Sequence, residues 1–320
     1  MPRRKRRNIL VTGVTSTVGR HLTEHLLADK RVGKIMGVAH VDRPYYFNEF
    51  DKERFLYGRH DILKYRDLNN LFRSDAFKKA EIDTVVHLAF ISSPMAKGRN
   101  VHRLNVDGTK YLLDRCIESG QVRKFVFKSS DVVYKLKPHN PVYLDEKTDL
   151  NFDTQADQWI KDRVDADMIC RSRMDNKKTK IVVLRFSNII GRGVAGHFNA
   201  YFNDRVIFAP MGFNPLINLI HMRDVLHALV LAIFKNVHGV FNIGGLDTAP
   251  LRTIAELAGA RVIPLPEPLL GPVNAIQRAL GMTRYYYRVD AERQKYTGIL
   301  DDSRARKILG YKPTGRIQFD

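Results

Sequence analysis

The chain has 320 residues, 44% of them hydrophobic and 27% charged, with a formal net charge of +19 and two cysteines. That is ordinary globular composition, long enough for one large α/β domain and a smaller one. It excludes a helical membrane protein, because no apolar run approaches the ~20 residues of a membrane span. It also excludes a disulfide framework: Cys116 and Cys170 read as reduced structural thiols, and without metal-ligand spacing no metal site is expected.

Residues 1–7 are predicted to be a solvated basic tail, carrying Arg3, Arg4, Lys5, Arg6 and Arg7. The start passes straight from that cluster into NILVTG, residues 8–13, with no signal-peptide apolar region, which predicts a cytoplasmic protein. NILVTG reads as a buried strand closed by glycine. His21, Leu22, Leu26 and Leu27 then begin an amphipathic helix, and KIMGVAHV gives a second strand. Further strands are predicted at DTVVHLAF (83–90), KFVFKSS (124–130) and KIVVLRFSN (180–188), with helical patterns at LNNLFRSDAF and NVDGTKYLLDRCIES between them. This alternation predicts an α/β fold with a Rossmann-like, doubly wound parallel sheet over residues 8–190.

After about residue 190 the texture turns to Gly, Pro and aromatic-rich loops. Residues 191–320 are expected to form mainly a smaller, partly discontinuous substrate lobe, with 218–245 returning to the Rossmann domain. Residues 264–287 combine prolines, a helical apolar pattern and three tyrosines. They read as a lobe helix over the substrate cleft, and alternatively, given the +19 charge, as a contact with an anionic membrane surface that makes the protein peripheral. The remaining basic residues are scattered without a recognition motif, so nucleic acid is not the expected partner.

VTGVTSTVGR, residues 11–20, lies between the first strand and the first helix, where backbone N–H groups hold a pyrophosphate. It resembles the TGxxGxxG loop of the extended short-chain dehydrogenases/reductases, the NAD-dependent epimerase/dehydratase family, with Gly13 and Gly19 in place and Ser16 at the middle glycine. The same family is resembled, in order, by Asp61–Ile62, His87–Ala89, Asn105–Thr109, Ser129–Tyr134, Arg185–Gly191, His221–Val225, Phe241–Gly245 and LDDSRARKILGYKP. The agreement spans nearly the whole chain.

The resemblance implies NAD or NADP as cofactor, held by Gly13, Ser16, Thr17, Val18 and Gly19, with Asp61 and Ile62 flanking the adenine, Leu88 and Ala89 on the far side, and Asn105 and Ser129 close by. The acidic residue that would select NAD at the end of the second strand is replaced by Ala39. His40 and Arg43 follow, which tilts the expectation toward NADP, with Asp42 as the alternative acid.

In this family a tyrosine acts as general acid/base and a lysine one helical turn later lowers its pKa, while a Ser or Thr holds the reacting oxygen. Ser130 matches the third position. Matching the catalytic helix to QWIKDRVDAD puts Trp159 at the tyrosine and Arg163 at the lysine. An indole N–H is a donor that does not titrate usefully, and a guanidinium does not copy a compact ammonium. The literal Tyr143-to-Lys147 pair follows Pro141 and reads as an exposed turn. By resemblance Asn188 and His221 line the substrate cleft, although a polar residue ending a strand equally serves as a cap. His87 reads as a structural histidine.

These features predict an atypical dinucleotide-binding member, without the usual proton-transfer pair, that takes an unknown small-molecule ligand. The alternatives are an active oxidoreductase or epimerase on a nucleotide-sugar, steroid-like or lipid substrate, with Asp131, Tyr134 or Tyr143 as replacement acid, and a membrane-surface scaffold. The family's habit implies a homodimer.

Overall fold

A computed structural model describes residues 6–191, 193–194 and 196–318; Arg3, Arg4 and Lys5 of the basic tail lie outside the described residues. The central sheet has seven strands: β1 (Arg7–Thr12), β2 (Val32–Ala39), β3 (Phe55–Arg59), β4 (Thr84–His87), β5 (Lys124–Ser130), β6 (Lys180–Phe186) and β7 (Gly239–Ile243). All neighbours pair parallel, in the order β7-β6-β5-β4-β1-β2-β3. This is the doubly wound arrangement that alternating apolar strands and amphipathic helices predict. Parallel strands are covered on both faces, so their sequences read as near-continuous apolar runs rather than alternating ones.

Six helices matter for the site: α1 (Thr17–Ala28), α2 (Tyr65–Arg73), α3 (Gly108–Ser119), α4 (Gln158–Ser172), α5 (Met222–Phe234) and α6 (Glu267–Ala279). Leu22 and Leu26 of α1 pack with Val225, Leu229 and Ile233 of α5 against Ile9, Val126 and Val182 on one face of the sheet. The other face buries Leu68 and Leu71 of α2, Leu112 and Leu113 of α3, and Ala166 and Cys170 of α4 against Leu10, Val85 and Phe127. Both cysteines are free and buried.

β3 escapes sequence reading because it is an edge strand, fully buried only at Phe55 and interrupted by Gly58, so no apolar run marks it. The chain beyond 190 is divided between two places. Leu216–His221 pairs with Asn188–Ile190 and Asp247–Pro250 in a small sheet, and Val206–Pro210 pairs with Arg261–Leu265. α5 and β7 belong to the large sheet and its cover, and so do Ala305, Leu309 and Tyr311 near the C-terminus. Asp224 at the start of α5 holds that last segment by accepting from the Thr314 and Gly315 amides, each at 2.9 Å.

In the 264–287 stretch, α6 turns Leu270 and Asn274 inward and leaves Leu269 and Ile276 exposed; Tyr285 and Tyr287 enter the lobe core. Among the described residues no helix is long and apolar enough to cross a membrane.

Candidate functional site

The turn after β1 is shaped by two glycines. Gly13 has φ +67°, and a Cβ there would lie 2.7 Å from the Ala89 amide nitrogen; one on Gly19 would lie 2.3 Å from the Gly13 carbonyl oxygen. Only glycine lets the turn close so tightly on the end of β4. Ser16, at the middle glycine position, caps α1: its hydroxyl accepts from the Gly19 amide at 3.1 Å and donates to the Gly13 carbonyl at 2.8 Å. The positive end of α1 therefore points outward from this turn, as anion binding requires.

It opens into a cavity of about 510 Å³ that runs from Thr15–Val18, past Leu88 and Ser92, to Ser129–Val132, Trp159 and Arg163, and on to Asn188, His197, Asp290 and Arg293. Thr17 donates to the Gly193 carbonyl at 2.6 Å, tying the start of α1 to the far wall.

Of the sequence-predicted residues, Ser16, Thr17, Val18, Leu88, Ser129, Ser130, Trp159, Arg163 and Asn188 converge on this cavity. Gly13, Gly19 and Ala89 form the turn behind it. Asn105 is buried and acts through the backbone, its Oδ1 accepting from the Ile91 amide at 2.8 Å. Asp61 caps its own turn through the Leu63 amide, and Ile62 is buried beside α3. His40 is exposed just past β2, while the Arg43 guanidinium donates to the Phe47 carbonyl at 2.7 Å. Asp42 is exposed and paired with Arg59 at 2.9 Å. His221 does not reach the cavity: it caps α5 by accepting from the Arg223 amide, and Gly315 lies against its ring.

Trp159 and Arg163 stand one turn apart on α4, whose N-terminus is capped by Asp157. The Trp159 indole donates to the Ser92 carbonyl at 2.8 Å. Arg163 donates to the Trp159 carbonyl at 2.8 Å and lies over the indole, 4.0 Å from the ring centroid. Burial pulls Arg163 down to about 9, which leaves it a cation at neutral pH.

The candidate replacement acids are engaged elsewhere. Asp131 accepts from Ser130 at 3.0 Å and from Arg293 at 2.8 Å; Arg293 also pairs with Asp290, which burial raises to about 6. Tyr134 is buried, donates to Asn242 at 2.7 Å and accepts from Arg185 at 2.8 Å; burial raises it to about 12. Tyr143 is 64% exposed on a two-residue strand, and Lys147 lies in the turn beyond it. His87 is bonded on both ring nitrogens, to Thr12 at 2.7 Å and Thr109 at 2.9 Å, and burial lowers it to about 3.

Sequence reasoning missed several cavity residues, among them Asp290, Arg293, Lys128 and His197. Lys128 sits on β5 directly before the two serines, lines the cavity, and makes no hydrogen bond or ion pair among the described residues. Burial and then Arg163 lower it to about 8. His197 is buried, stacks on Tyr285 with ring centroids 4.4 Å apart, and has no hydrogen-bond partner for either ring nitrogen among the described residues; burial lowers it to about 3. A lysine ending an apolar strand was the available signal for Lys128; for His197 there was none.

Residues 9–244 match the model of the NAD dependent epimerase/dehydratase family. The chain belongs to that family. It is 27% identical over 312 residues to an uncharacterized protein of Mycobacterium tuberculosis, covering 95% of this chain and 80% of that one. In fold it is similar to UDP-glucose 4-epimerase of Thermotoga maritima, solved with UDP-glucose, at TM-score 0.71 and 20% identity over 98% of this chain and 95% of that one. It is also similar to UDP-glucuronic acid 4-epimerase of Bacillus cereus, solved with UDP-glucuronic acid and NAD, at TM-score 0.68 and 21% identity over 96% and 94%.

Proposed function

We propose that the protein binds a nicotinamide dinucleotide in this cavity and acts on a nucleotide-linked sugar without the family's tyrosine–lysine pair. The observation that carries this reading is one continuous cavity, with the Gly13–Gly19 turn at one end and Ser130, Trp159 and Arg163 at the other.

The residues fit the dinucleotide. The tight glycine turn and the capped start of α1 suit its pyrophosphate, and Thr17 and Val18 border the same space. At the adenosine end Asp42 is paired to Arg59, while His40 is exposed, which favours NADP over NAD. When bound, the dinucleotide supplies a hydride acceptor or donor. Ser130 holds the reacting oxygen by turning its hydroxyl from Asp131. Arg163 contributes a fixed positive charge, and Trp159 closes the wall without exchanging a proton. The nucleotide-sugar class rests on the ligands of the two similar epimerases.

Titration with NADP(H) and NAD(H), followed by quenching of Trp159, the one tryptophan, with calorimetry as control, tests the reading. Saturable quenching with a matching heat is expected, tighter for NADP. No heat with either cofactor overturns it.

A further inference from the structure

Lys128 is an ionisable cavity group that makes no hydrogen bond or ion pair among the described residues. Strand β5 turns alternate side chains to opposite faces. Ser129, which also lines the cavity, is spent on the buried Asp167, to which it donates at 2.7 Å; Lys128 shares the face of β5 with Ser130 and lines the cavity as well. It is a partly buried ammonium that no carboxylate meets among the described residues. Such a group costs stability, and folds keep unpaired buried charge chiefly where chemistry uses it.

The groups around it are accounted for. From β5 and the turn after it come Ser130 and Asp131, the latter already holding Arg293. From α4 comes Arg163, a cation that weakens a second cation beside it. Asp290 is paired to Arg293, and His197 stacks against Tyr285. Tyr134 lies outside the cavity lining, bonded to Arg185 and Asn242.

We infer that Lys128 is the proton acceptor and donor for the substrate hydroxyl held by Ser130, in place of the residue that Trp159 has displaced. This rests on the cofactor reading above. In the forward direction the hydroxyl proton passes to the neutral Lys128 amine, giving an ammonium. A bound oxidised nicotinamide would supply the acceptor for the hydrogen on the adjoining carbon with its bonding pair, leaving a carbonyl, and the reverse direction would return both. A lysine lowered toward neutral pH suits that exchange, because it holds either proton state at similar cost.

The test uses the whole protein labelled with [ε-13C]lysine. The Lys128 resonance is the one missing from Lys128→Met, and it is titrated with and without NAD+ or NADP+ while calorimetry reports cofactor binding. A midpoint near 8, well below those of the other lysines, that moves when cofactor binds is the expected result. With UDP-glucose as probe, reduced nicotinamide formed on the wild-type protein falls roughly 100- to 10,000-fold in Lys128→Met while cofactor heat is retained. Lys128→Arg keeps the charge and the fold but fails equally. Cofactor binding with an unmoved Lys128 resonance, or an unshifted midpoint, overturns the inference alone. Absence of cofactor heat in the wild type overturns the cofactor reading, and the inference with it.

Discussion

Two groups of charged residues near the end of strand β5 are treated in opposite ways. In one, Arg185 and Asp167 are both wholly buried and paired at 2.6 Å, with Ser129 and Tyr134 completing their hydrogen bonds. Around the cavity and among the described residues, Lys128 has no hydrogen-bond or ion-pair partner, Arg163 meets only carbonyls and rings, and neither His197 ring nitrogen has a hydrogen-bond partner. A buried charge with every bond made is scaffold; buried polar groups left unmade border the space where a ligand fits. The difference also teaches that adjacent residues on one strand, Ser129 and Lys128, are read by their faces rather than by their proximity.

The largest break should come from the satisfied side. Asp167→Ala strands a buried guanidinium and is expected to cost about 3–5 kcal/mol in urea unfolding, whichever cofactor is present. Next is Gly13→Ala, which forces a side chain into a left-handed position against the Ala89 backbone. A loss of roughly 1–3 kcal/mol is expected, together with loss of cofactor heat in calorimetry.

On the unsatisfied side the sign reverses. Lys128→Met should stabilise the protein by about 1–3 kcal/mol at pH 7. The folded lysine is lowered to about 8 from 10.5, so the wild type binds fewer protons folded than unfolded between those values, and its stability rises with pH there. The advantage of Lys128→Met should therefore be full below pH 8 and vanish toward pH 10.5, which thermal unfolding across that range measures.

His197 gives the smallest effect and the same logic at lower pH. Its folded value of about 3 lies below the unfolded 6.5, so the wild type loses stability as pH falls below 6.5, by up to about 2 kcal/mol at pH 5. His197→Phe should flatten that segment of the pH–stability curve. An unchanged slope would mean that the ring is hydrated.

Much of this was legible in the chain. The glycine turn, the apolar strands and the alternation with helices follow from local periodicity, and the family assignment bears out the resemblance carried by the short motifs. Ser130, Trp159 and Arg163 line one cavity, and Trp159 and Arg163, four residues apart, share one face of α4 because the helix period is fixed by the backbone. His221 and Asn105 were harder to place. Each is a polar residue near an element end, and only the hydrogen bonds from the Arg223 and Ile91 amides show that one caps a helix and the other braces a loop. The edge strand β3 was illegible because half-exposed strands with an internal glycine carry no apolar signature.

The sequence by itself determined the fold class, the glycine turn after β1 and the absence of a tyrosine on the helix of residues 158–172, since all three depend on local pattern or residue identity. Only the tertiary structure decided which ionisable groups are spent and which are free. Asp131 and Tyr134 are claimed by Arg293 and Arg185, residues 162 and 51 positions away, and Lys128 is left facing the cavity. Pairing over such separations is set by packing of the sheet and the lobe, which no local period encodes.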